Sequence, residues 1–168
     1  MSVSVGRRCV FVKIEGRANF TSSIDFKTLL NELMQKGSSC FVLDLTECTL
    51  MDSTFLGVLA GFGLKTSEPP PQGDERAIKL FNPSERILEL LESLGILHLF
   101  QIMNGELKLR ETVTPMEHSA PTPTREQITE TCLEAHNILM GISPDNVPRF
   151  KDVAAFLAED LKKIQSKS

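Results

Sequence analysis

The side chains best placed to do chemistry are Asp52, Ser53 and Thr54, three consecutive polar residues between two apolar runs in FVLDLTECTLMDSTFLGVLAGFG. The first run, Phe41 to Leu45, reads as a buried strand; the second, from Phe55, has helical spacing. Two hydroxyls and a carboxylate thus arrive at a helix N-terminus, where amides lack partners and the helix dipole favours negative charge. The plainest role for Asp, Ser and Thr at such a place is N-capping. The functional role is a hydroxyl that a partner phosphorylates. A phosphoryl group there gains roughly 0.3–1 kcal/mol from the dipole. At an interface the same charge, buried and unpaired, costs about 3–5 kcal/mol, or two to three decades of affinity.

Other chemistry is weaker. Ser53 and Asp52 with one of His98, His118 or His136 would supply the members of a Ser-His-Asp set, but sequence neighbours rarely satisfy that geometry. No phosphate-cradling or nucleophile-elbow glycine motif occurs. Glu85 with Glu89, and Glu111 with Glu117, read as solvated faces rather than catalytic pairs. Cys132 and His136, four apart, share a helix face but are two ligands only, so no metal site and no cofactor are expected. The four cysteines, Cys9, Cys40, Cys48 and Cys132, read as reduced core thiols.

Composition narrows the partners. A net charge of −4, with neither side of Pro123 basic, gives no field to steer nucleic acid. Ten Phe with no Tyr or Trp removes the usual stacking residues. No apolar run approaches the ~18 residues of a membrane span and no signal segment opens the chain, so a cytoplasmic protein without a membrane role is expected.

The elements that must position the turn follow from periodicity. Val3 to Ile14 reads as two strands around Gly6-Arg7-Arg8, and a helix capped by Ser22 or Ser23 follows, with Phe26, Leu29, Leu30, Leu33 and Met34 on one stripe. The helix after Asp52 carries Gly57, Ala60 and Gly61, each Gly costing roughly 1 kcal/mol of propensity, which implies very close packing or a flat presented surface. Arg76 to Phe81 is a further strand; Asn82-Pro83 caps the next helix; Leu99 to Leu109 reads as a hairpin about Asn104-Gly105. Residues 1–111 thus form an α/β sheet domain, 112–123 a Pro-rich linker, and 124–168 a C-terminal α-helical hairpin opened by a Thr124-x-x-Gln127 capping box.

The order FVLDL, LMDSTFLGVLAG and AIKLFNPSERILELLESLGILHLFQI resembles the STAS domain, over about residues 3 to 110. The resemblance implies a mixed β-sheet with helices packed on it and a role as an anti-sigma factor antagonist rather than an enzyme. In such members the second hydroxyl after the Asp, here Thr54, is phosphorylated by an anti-sigma serine kinase; the unphosphorylated form binds that kinase and frees the sigma factor. Asp52, Ser53, Thr54, Phe55 and Asn19 are then the expected partner-binding residues, with Asn19 where many members carry an acid. Thr54 stands where Ser is more usual and Phe55 where Gly is common. The sulfate-transporter branch does not fit a chain without a membrane span. Two other readings follow: a scaffold that assembles into a homo-oligomer through the C-terminal helices without a phosphoswitch, and a small-ligand sensor or enzyme using a cleft near Asp52.

Overall fold

In the computed structural model, which describes residues 1–68, 76–108 and 113–168, a six-stranded mixed sheet carries the helices. Strands β1 (Ser2–Val5) and β2 (Val10–Lys13) are antiparallel, and β2 runs parallel to β4 (Phe41–Asp44), which runs parallel to β6 (Ile78–Phe81). Central β4 is buried at Phe41, Val42 and Leu43, as expected of a parallel strand covered on both faces. A separate two-stranded ribbon pairs β3 (Gly16–Ala18) with β5 (Cys48–Met51), each lying immediately before a helix. This ribbon brings the starts of α1 (Phe20–Gln35) and α2 (Ser53–Thr66) side by side.

Three local readings are corrected. The cap of α1 is Asn19, not Ser22 or Ser23; its Oδ1 accepts from the Thr21 and Ser22 amides, and Ser22 returns the bond to the Asn19 amide. Helix α3 (Glu85–Ser93) is capped by Ser84. Asn82 instead adopts φ +49° and exchanges side-chain bonds with the backbone of Gly105. That clasp belongs to a different arrangement from the expected hairpin: β7 (Gln101–Met103) pairs in parallel with β6, and residues 106–108 are not in a strand. Leu109 lies outside the described residues, as do residues 69–75 of the expected proline loop.

The stretch read as linker contains β8 (Thr114–Met116), which joins the sheet edge antiparallel to β1, with Pro115 where an edge strand tolerates it. The expected reduced state of all four cysteines is also corrected. Cys9 and Cys40, at the entries to neighbouring β2 and β4, form a disulfide, while Cys48 and Cys132 are free and buried.

The C-terminal helices are α4 (Arg125–Ile142), opened by the expected Thr124–Gln127 capping box, and α5 (Val147–Gln165). α4 packs chiefly on α2 and α5, with further contact to α1, and so forms a layer outside the α1–α2 pair. Helix α2 is therefore enclosed on two sides. Thr54 to Ala60, Phe62 and Gly63 are all buried, the pattern of a helix apolar all round. The small residues serve this contact. A Cβ on Gly57 would lie 2.4 Å from the Ala135 carbonyl oxygen, so α2 and α4 approach backbone to backbone there. Among the described residues no helix is long and apolar enough to cross a membrane.

Candidate functional site

The site begins with Asp52, which caps two helices at once. Its Oδ1 accepts the Phe55 amide of α2 at 2.8 Å, and its Oδ2 accepts the Phe20 amide of α1 at 2.7 Å. Its own amide donates to the Ala18 carbonyl at 3.0 Å, locking the turn to β3. Asn19 and Asp52 therefore sit at adjacent helix starts. Beside them Phe20 projects 45% exposed, an apolar rim residue the periodicity did not single out.

The two hydroxyls have different surroundings. Thr54 is only 5% exposed and its Oγ1 donates to Cys132 Sγ at 3.6 Å. Burial pushes the Cys132 thiol above its ordinary range, although the Thr54 hydrogen bond opposes this, so the sulfur is protonated near neutral pH. Ser53 is half-buried and its Oγ lies 2.9 Å from His136 Nε2. His136 Nδ1 is 2.6 Å from the Cys132 carbonyl, which can only accept, so Nδ1 carries a proton. In the neutral ring Nε2 then accepts from Ser53. The far side of the ring packs on Phe150, with centroids 5.2 Å apart.

Of the Ser-His-Asp set, Ser53 and His136 do meet. Asp52 does not join them, since both its oxygens hold helix amides and the far nitrogen of His136 faces a carbonyl. The carboxylate that orients a catalytic imidazole is thus absent from this pair. An open cleft of about 240 Å³ lies further along α2, lined by Lys27, Lys65, Phe62 and Glu134 among others, and Ser53 and Asp52 are not in its wall. Among the described residues no group of three His, Cys, Asp or Glu could hold a metal.

Phe55 points inward. It is 1% exposed and its ring centroid lies 4.9 Å from that of Phe26, so its bulk fills the core between α1 and α2 rather than standing at the surface. Sequence reasoning weighs His136 as one of three candidate partners of Ser53 and pairs it with Cys132, but it misses that α4 sets both opposite the hydroxyls and Ala135 opposite Gly57. Their four-residue spacing was visible as one helix face. What that face covers was not.

A β-ribbon that delivers Asp-Ser-Thr to the start of a central helix, beside a mixed sheet, defines the class. Residues 1–114 match the STAS domain family, and the chain belongs to it. Among solved structures it is similar to the Bacillus cell fate determinant SpoIIAA in the phosphorylated form, at 15% identity and a TM-score of 0.51, covering 64% of this chain and 91% of that one. It is also similar to the anti-sigma factor antagonist SpoIIAA in its unphosphorylated form, at 17% identity and a TM-score of 0.49, covering 63% and 88%. No curated protein sequence matches the chain. The hairpin of α4 and α5 lies beyond the matched residues.

Proposed function

We propose that the protein is a non-enzymatic regulatory module, an antagonist of the anti-sigma type, whose binding to a signalling kinase is switched by phosphorylation at Thr54, with Ser53 as the neighbouring acceptor. What carries this reading is the Asp52-Ser53-Thr54 turn at the N-terminus of α2, in a chain of the STAS family. In the modification the Thr54 oxygen forms a bond to the γ-phosphorus of ATP, the bond to the β-phosphate oxygen breaks, ADP leaves and the hydroxyl proton is released. The added charge of about −1.5 to −2 sits where the α2 dipole favours it, while a partner docked on Asn19, Phe20, Asp52 and Ser53 would have to desolvate it.

The test is incubation of the full chain with the anti-sigma serine kinases of the same genome, with phosphosite mapping and binding measured in parallel. The expected result is modification at Thr54 and, for Thr54→Glu, binding weakened by about two decades or more. Unmodified Thr54 and Ser53, together with equal binding of Thr54→Glu, would sink the reading.

A further inference from the structure

Helix α4 lies on the part of α2 that carries the hydroxyls, and its contacts there are of an unusual kind. Two are hydrogen bonds to the hydroxyls themselves, Thr54 to Cys132 and Ser53 to His136. A third is the backbone approach of Ala135 over Gly57, and a fourth is the ion pair of Lys27 on α1 with Glu134. Among the described residues α4 adds Ala135 and Leu139 to the continuous core and packs partly buried Ile138 and Ile142 against it, while α5 packs partly buried Phe150 there and fully buries Ala154 alone. We propose that the α4–α5 hairpin is a lid on the STAS unit. It docks reversibly, hides Thr54 while docked, and is expelled by negative charge on Thr54 or by a partner helix that takes the place of α4.

The proposal rests on the reading of the Asp52-Ser53-Thr54 turn as the switch, and the geometry supplies its mechanism. At 5% exposure Thr54 is out of reach of a kinase until α4 moves. Once modified, Thr54 would need space for three further oxygens where its hydroxyl now lies 3.6 Å from Cys132 Sγ at 5% exposure, so the docked state has no room for them and leaves their charge buried. Docking and modification therefore oppose each other reciprocally, as linked equilibria must. Residues 117–124 carry no regular structure and include Pro121 and Pro123, which leaves the hairpin on a tether. Its far end is held at the close of α3, where Asn146 donates to the Leu94 carbonyl and Arg149 to Ser93 Oγ. The surface uncovered would accept a helix with the features of α4: a small side chain over Gly57, an acceptor for Ser53 and a carboxylate for Lys27.

Cys132 and Cys48 make the lid measurable. Both are free and buried, but Cys132 is on the lid and Cys48 is in the STAS core. The native 168-residue chain is treated with N-ethylmaleimide and the labelling of each thiol is followed by mass spectrometry. Gly57→Ala forces α4 away yet gives α2 the better helix former; Thr54→Glu supplies the charge. Each should raise Cys132 labelling about tenfold or more with Cys48 unchanged. Equal rises at both thiols, or no rise at Cys132 in either variant, would overturn the lid. Because labelling needs no kinase, the two ideas fail separately. Protected Cys132 with a modified Thr54 removes the lid and leaves the switch; labelled Cys132 with unmodified hydroxyls does the reverse.

Discussion

Helix α2 has two faces, and they are built from different materials. Towards α1 it presents Phe55 against Phe26 and Phe62 at right angles to the same ring, so large side chains interlock. Towards α4 it presents Gly57, Gly61 and the hydroxyls, so the two backbones meet at Ala135 and Ile138 packs over Gly61, with no aromatic side chain of α2 interlocking there. Burial of aromatic area is worth several kcal/mol per residue and is lost only when the domain opens. A contact made of hydrogen bonds and a close backbone approach is worth far less and depends on a fit that one methyl group abolishes. The same helix is thus a fixed member of one interface and a separable member of the other.

That contrast orders the effects of substitution. Phe55→Ala empties the inner face and should lower unfolding free energy by about 3–5 kcal/mol in urea titration; a loss under ~1 kcal/mol would mean the inner interface is as loose as the outer. Replacing Cys9 and Cys40 by Ser removes a cross-link spanning a sequence separation of 31 residues. By chain entropy the STAS unit should lose about 2–4 kcal/mol, while the labelling rate of Cys132 relative to Cys48 stays the same. Asp52→Ala uncaps α1 and α2 together, and a loss of about 2–3 kcal/mol is expected from two stranded amides; if only α2 frays in hydrogen exchange, the bridge to Phe20 contributes nothing. Thr54→Val should leave global stability nearly untouched but weaken docking of α4 by about 0.5–1.5 kcal/mol, read as a two- to tenfold rise in Cys132 labelling. Lys27→Met should have the smallest effect, about 0.2–1 kcal/mol, and the effect should fade with added salt because Lys27 and Glu134 are both partly exposed.

Legibility in the sequence followed the range of the interactions. The stripe of Phe26, Leu29, Leu30 and Leu33, the continuous run of β4 and the Thr124–Gln127 box are local patterns, and each element stands where its pattern predicts. Boundaries set by competition among good cappers were misjudged. Asn19 prevails over Ser22 because its side chain reaches two amides while Ser22 serves as its reciprocal partner, and Asn82 is drawn away from its helix by Gly105. The ribbon of β3 and β5 was missed, since strands of three and four residues leave almost no periodic trace. The disulfide was missed because parallel strands bring Cys9 and Cys40 together across 31 residues with no motif to announce it.

What the sequence alone determined is the STAS unit and its Asp52-Ser53-Thr54 turn: hydrophobic period, cap chemistry and the order of elements are properties of short stretches, so they survive being read in one dimension. What only the tertiary structure decided is the state of that turn. Asp52 ties down two helices, Phe55 faces the core, and Cys132 and His136 cover the hydroxyls from about eighty residues away. An amphipathic stripe says that a helix must dock, but not on what. Here the small residues of α2 selected the surface, because only where side chains are missing can another backbone come so close.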